Sequence, residues 1–206
     1  MKKLDINRVP VSTAILFIIC IVVTAALAGT NFITKDKISV LAQNAEKEAM
    51  ALVLPADSYK TDTVDIDGQK YEYHIAEKDG KVIGYLINSS EKGYGGDIKV
   101  MVGVDTLGKI SGVKILAADD ETPGLGANIK NKSFYGQYTG KLKDIVLQKN
   151  QADQSKNEIK AVTGATISST AVNKAVNKAM DIAQKIISDS KENEEPIDKS
   201  TVKEEE

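Results

Sequence analysis

Cysteine occurs once in this 206-residue chain, at Cys20, histidine once, at His74, and tryptophan not at all. A lone cysteine excludes an internal disulfide framework. With a single histidine it also leaves no ligand set for structural zinc, haem or an iron–sulfur cluster. The net charge of −2 gives no broad basic field, which sets nucleic acid aside as a partner. No internal repeat is present, and the length suits one anchor segment plus one globular domain. Redox or catalytic equipment in such a chain has to come from a bound cofactor.

Charge is also missing locally. From Val9 to Thr34 no Asp, Glu, Lys or Arg occurs, and Val9–Ala28 is dominated by Ile, Leu, Val, Ala and Phe. A helix needs about 20 such residues to cross ~30 Å of hydrocarbon, so residues 9–30 are expected to span a membrane. A cleaved signal is the rival reading, because Lys2, Lys3 and Arg8 precede a run ending in Ala26-Leu27-Ala28. Those basic residues favour a cytoplasmic N-terminus, residues 1–8, and place the domain beyond the apolar run outside. Residues 188–206 are highly charged and poor in apolar side chains, and are expected to be a disordered tail.

Between these ends, residues 34–187 form the expected folded domain. Ile38, Leu41, Ala45, Ala49 and Leu52 recur at helical spacing before Pro55. Alternating runs at Tyr71–Glu77, Lys81–Asn88, Ile98–Val104 and Ile110–Ala117, with turns at Asp79-Gly80 and Leu107-Gly108, predict antiparallel strands. Gln148–Lys160 reads as a loop. Ala171, Val172, Ala175, Val176, Ala179, Met180, Ala183 and Ile187 then trace one face of a helix, with Asn173, Lys174, Asn177 and Lys178 on the other. The fold class is α/β (α+β): a twisted, mainly antiparallel sheet flanked by helices.

Three clusters could carry chemistry. In Val162-Thr163-Gly164-Ala165-Thr166-Ile167-Ser168-Ser169, threonines and serines precede the last helix, where free backbone amides and the dipole favour a phosphate. The plainer reading is a Ser/Thr helix cap. In Glu121-Thr122-Pro123-Gly124-Leu125-Gly126, Pro123 and Gly124 fit the centre of a type II turn, which otherwise reads as a surface turn. Gly93-Tyr94-Gly95-Gly96 leads into a strand, and the plainer reading is that its glycines permit positive φ.

Taken in order, the apolar segment, KGYGGDIKVMVGVD from Lys92, ETPGLG from Glu121 and AVTGATISS from Ala161 resemble the family holding the G subunit of Rnf complexes and the C subunit of sodium-translocating NADH:quinone reductases. The Rnf type is the better match. The resemblance spans nearly the whole chain except the tail. It implies FMN joined covalently, through its phosphate, to Thr166, with Thr163, Gly164, Ala165 and Ser168 around the attachment. By the same resemblance Thr122, Gly124, Leu125 and Gly126, with Gly95 and Gly96, lie against the flavin.

The implied function is an electron-relaying subunit of an ion-translocating ferredoxin:NAD+ oxidoreductase, anchored in the cell membrane with its domain on the extracytoplasmic side. The implied partners are the other membrane and redox subunits, plus a flavin transferase that draws FMN from FAD during maturation. No residue is expected to act as acid, base or metal ligand on a diffusing substrate. Two positions depart from the family pattern: Asp119 stands where many relatives have His, and Lys160 replaces an acidic residue. They bear on a ring or proton contact and on transferase recognition. The alternatives are a stand-alone exported FMN carrier and a non-redox membrane-anchored binding module in which the TGAT turn only caps a helix.

Overall fold

The computed structural model describes residues 9–153 and 155–192. The expected tail therefore lies outside the described residues from 193 onward, while Ser188–Glu192 complete a helix. The chain divides into two compact units, one up to Glu46 and one from Lys47.

The first unit is helical. Helix α1 runs without a break over Val9–Val53, so the expected spanning segment and the helix expected after it are one element. Neither Gly nor Pro interrupts the backbone hydrogen bonds between Asn31 and Val53. Within α1, Thr13–Lys35 is 23 residues long, roughly 35 Å at 1.5 Å per residue, and holds an 18-residue window with a mean hydropathy of 2.4. This helix is long and apolar enough to cross a membrane, by length and composition.

The second unit is built on a five-stranded antiparallel meander, β1 (Ser58–Ile66), β2 (Gln69–Lys78), β3 (Lys81–Lys92), β4 (Asp97–Asp105) and β5 (Ile110–Ala117), in the order β1-β2-β3-β4-β5. Tight turns set the registers. Asp67 and Gly68, with φ of 53° and 79°, join Ile66 to Gln69; Asp79 and Gly80, with 51° and 72°, join Lys78 to Lys81. Two consecutive positive φ values define the hairpin turn whose twist matches that of the strands. Beyond β5 come a 3-10 turn at Gly126–Lys130, the short α2 (Lys132–Tyr135), and a 3-10 turn at Gly136–Tyr138. A small parallel pair comes next, β6 (Val146–Gln148) with β7 (Glu158–Lys160), and then α3 (Thr166–Glu192).

Alternation along the strands gives the sheet two apolar faces. One carries Tyr85, Ile87, Ile98, Val100, Val102, Val104, Val113 and Ile115 against the face of α3 formed by Val172, Val176, Met180 and Ile186. Burying a side chain of that size stabilises by roughly 1.5–3 kcal/mol. The opposite face carries Ala76, Leu86 and Met101 against Ala49, Met50, Val53 and Leu54. There, the close approach of Val53 explains two glycines. A Cβ on Gly103 would stand 2.6 Å from Val53 Cγ1, and one on its cross-strand partner Gly112 would stand 2.9 Å from the Val53 carbonyl oxygen.

The polar face of α3 is less idle than its sequence suggests. Asn173 and Asn177 both donate to the Ile145 carbonyl, at 2.9 and 3.0 Å, and the Ile145 amide donates back to Asn177 at 2.9 Å. These bonds bring the chain after β5 back over α3.

Tyr73 gives the domain an alkaline limit. Burial, followed by the Asp62 carboxylate 3.2 Å from its hydroxyl, pushes this phenol up to about 12 from 10.0. A proton held more tightly by the folded state stabilises it below pH 10, and this contribution is lost as pH rises through 12. Melting temperature should fall between those values, and Tyr73→Phe should fall less steeply. Parallel melting profiles for the two proteins would show that Tyr73 contributes nothing.

Candidate functional site

Two turns of the same type face each other at the start of α3. In the first, the Leu125 amide donates to the Thr122 carbonyl at 3.1 Å and Gly124 has φ of 76°, as a Pro-Gly type II turn requires. In the second, the Ala165 amide donates to the Val162 carbonyl at 3.0 Å and Gly164 has φ of 79°. A Cβ on Gly164 would lie 3.0 Å from Leu125 Cδ2, so the tip of the first turn rests on the second.

Helix α3 begins directly after the second turn. The Ser169 amide donates to the Ala165 carbonyl at 2.9 Å, making Thr166 the first helical residue. The amides of Thr166, Ile167 and Ser168 precede the first intrahelical bond, where an anion is stabilised. The neighbouring hydroxyls do not cap them. Ser169 Oγ accepts from the Val162 amide at 3.0 Å, and Ser168 Oγ donates to Glu121 Oε2 at 2.6 Å. The Thr166 side chain is exposed. The plain helix-cap reading therefore does not describe what these serines do.

Glu121 joins the three clusters. It is 3% exposed, next to exposed Asp119 and Asp120 in sequence. Its Oε1 accepts from the amides of Tyr94, at 2.8 Å, and Gly95, at 3.3 Å, while Oε2 accepts from Ser168. A buried carboxylate is tolerated when its lone pairs are satisfied in this way.

The glycines of the Gly93–Gly96 cluster are explained by this crowding. Gly93, Gly95 and Gly96 do not have positive φ. A Cβ would instead collide with Glu121 Oε1 at Gly93 and with the Asp120 carbonyl at Gly95, and at Gly96 would come within 2.5 Å of Asp120 Oδ2. At Gly126 it would strike Glu121 Oε2.

A cavity of about 540 Å³ opens between the two turns and α3, lined by Tyr94, Glu121, Thr122, Leu125, Gly126, Gly164, Ala165, Thr166, Ile167 and Ser168. The structure thus gathers most of the expected site residues, while Thr163, Gly124, Gly95 and Gly96 stand in the surrounding turns and do not line the space. Tyr94, Glu121 and Ile167 were not singled out in the sequence. The exposure of Tyr94 (69%) and Ile167 (57%) marks them as apolar rim residues. Asp119 is paired with Lys130 at 2.6 Å on the surface, away from the cavity lining. Lys160 ends β7, where its amide donates to Gln137 Oε1 and its carbonyl accepts from Gln137 Nε2, at 2.8 and 3.1 Å. It lines a separate polar cavity of about 500 Å³.

Comparison with known proteins gives this arrangement a family. Residues 93–181 match the FMN-binding domain and residues 1–53 match the RnfG N-terminal region. The G subunit of a proton-translocating ferredoxin:NAD(+) oxidoreductase complex from Clostridium ljungdahlii is 34% identical over 172 residues, covering 83% of this chain and 89% of the relative. The G subunit of a Na(+)-translocating counterpart from Acetobacterium woodii is 33% identical over 174 residues, covering 77% and 83%. Among solved structures, the C subunit of the Na(+)-translocating NADH-quinone reductase from Parabacteroides distasonis superposes with a TM-score of 0.51 at 24% identity, over 57% of this chain and 63% of that one. NqrC of Shewanella oneidensis does so with 0.51 at 20% identity, over 68% and 72%. These two show the fold alone. From the matches to both parts of the chain and the identity to the G subunits, the chain belongs to the RnfG family, the G subunits of ion-translocating oxidoreductase complexes, and carries an FMN-binding domain.

Proposed function

We propose that this chain is the flavin-carrying G subunit of a membrane-bound, ion-translocating ferredoxin:NAD+ oxidoreductase, and that its FMN is esterified through the phosphate to Thr166. The observation that carries the reading is the exposed Thr166 hydroxyl at the first residue of α3, on the edge of the cavity of about 540 Å³. That volume lies within the roughly 300–1,000 Å³ of small-molecule sites. The three leading amides of α3 supply neutral donors for a phosphodiester, and Gly164 lets the phosphate come close to the backbone. Tyr94, Leu125 and Ile167 offer apolar surface for a flat ring system.

FMN, when bound, supplies one- or two-electron transfer. The residues of this chain bind and orient it. During attachment the Thr166 oxygen forms the new bond to the flavin phosphorus of FAD, AMP leaves with the broken phosphoanhydride, and the hydroxyl proton passes to solvent. The apolar span of α1 holds the domain at the membrane, on the extracytoplasmic side, beside the redox and membrane subunits of the complex. A permanent tether suits that location, since a dissociated flavin could not be replaced from cytoplasmic pools.

Mass spectrometry of full-length chain matured with a flavin transferase tests the reading. The peptide containing Thr166 should carry one FMN through a phosphoester. An unmodified peptide, or FMN on another residue, would overturn it, and an unmodified chain would favour a non-redox binding module. Co-purification with integral membrane subunits separates a complex member from a stand-alone carrier.

A further inference from the structure

We infer that Glu121 is a positioning residue for flavin attachment: its buried carboxylate fixes the first turn of α3 to the glycine hairpin, and so fixes where the Thr166 hydroxyl is presented. The inference rests on Thr166 being the acceptor.

Three segments distant in sequence meet on this one side chain. Tyr94 and Gly95 lie on the β3–β4 hairpin, Glu121 comes after β5, and Ser168 lies 47 positions further on. Ser168 is 2% exposed and shares the first helical turn with Thr166, so its bond to Glu121 at 2.6 Å limits rotation of that turn. The Val162 amide to Ser169 Oγ bond closes the same turn from behind. Hairpin and turn leave no room for an alternative, because a Cβ at either Gly93 or Gly126 would occupy the place of a carboxylate oxygen.

The partners are all neutral donors, and none is a cation. A carboxylate held this way is costly to bury and adds little stability over a well-packed apolar group. What it adds is direction, since each oxygen accepts along a defined line from a different segment. Direction is what a hydroxyl must have to meet a phosphorus atom held in another protein's active site, where a displacement of about 1 Å costs on the order of a hundredfold in rate.

The test measures transfer of flavin from FAD to the full-length chain by its transferase, comparing Glu121→Ala, Glu121→Gln, Ser168→Ala and Val102→Ala. Val102 is fully buried in β4 and belongs to the core, which makes it a control for lost stability. All assays run below the lowest melting temperature of the set. Glu121→Ala should lower kcat about 30-fold to 1,000-fold, equivalent to roughly 2–4 kcal/mol at 1.36 kcal/mol per tenfold, with KM for FAD unchanged.

Ser168→Ala, which removes one of the three bonds, should lower kcat about threefold to tenfold. Glu121→Gln should recover most of the rate, because its oxygen still accepts from the hairpin amides while its NH2 group donates to Ser168 Oγ. Val102→Ala should melt earlier yet accept flavin at the wild-type rate. If the rate tracks melting temperature across all four variants, or if folded Glu121→Ala accepts flavin normally, Glu121 has no positioning role. Should Glu121→Ala fail to fold, the contrast between Ser168→Ala and Val102→Ala decides the matter. A wild-type chain that takes up no flavin overturns the attachment itself, and this inference with it.

Discussion

Thr166→Ala should abolish covalent flavin while leaving the fold intact. The side chain is exposed at the first position of α3, so removing its hydroxyl and methyl should change stability by no more than about 0.5 kcal/mol. The only phosphorus acceptor in the proposed linkage disappears with it. In-gel flavin fluorescence of denatured protein reads the first effect and a melting curve the second, and their separation is what makes the result informative. Thr166→Ser keeps the hydroxyl and should keep measurable flavin. Fluorescence retained in Thr166→Ala would transfer the attachment elsewhere, and Thr163, in the same exposed turn, is the position to examine next.

Much of this site was legible in the sequence because its parts are local. A Pro-Gly pair forms a type II turn through its own φ preferences, and a small-residue turn before an amphipathic stretch marks a helix start whatever surrounds it. Four strands were legible for the same reason: alternation arises from one buried face. Strand β1 was missed although Asp67-Gly68 signals its hairpin, because it is an edge strand whose only buried side chain is Val64, so its sequence shows no apolar period. Strand β7 lies inside a segment that reads as a loop. Three residues with one buried side chain, Ile159, are too few to show a pattern.

Glu121 was illegible for a deeper reason. Beside Asp119 and Asp120 it reads as part of a solvated acidic run, and its burial depends on amides supplied from 26 and 27 positions upstream. The hairpin glycines misled in the complementary way. Glycine suggests positive φ, but at Gly93, Gly95 and Gly96 the backbone is ordinary and the constraint is the proximity of another segment. Conformational demands on a residue can be read from its neighbours in sequence; steric demands from a distant segment cannot.

That distinction predicts an order of damage among glycines that look alike in sequence. Gly95→Ala should be the most disruptive, because the new Cβ overlaps the Asp120 carbonyl, a backbone group that cannot swing aside. Overpacking of this kind costs about 1–3 kcal/mol, and loss of the Gly95 amide bond to Glu121 adds roughly 1 kcal/mol. A total of about 2–4 kcal/mol is expected. Gly124→Ala meets open space but must hold φ near 76°, which costs roughly 1–2 kcal/mol. Gly96→Ala encroaches on Asp120, whose Oδ2 can turn away but whose Cβ, 2.9 Å from the new methyl, moves only with the backbone, and should cost about 1–2 kcal/mol, less than Gly95→Ala. Urea unfolding of the three variants measures the order directly. Gly95→Ala matching wild type would mean that the hairpin and the Asp120–Glu121 backbone are not in contact, and the three-way tie on Glu121 would lose its geometric basis.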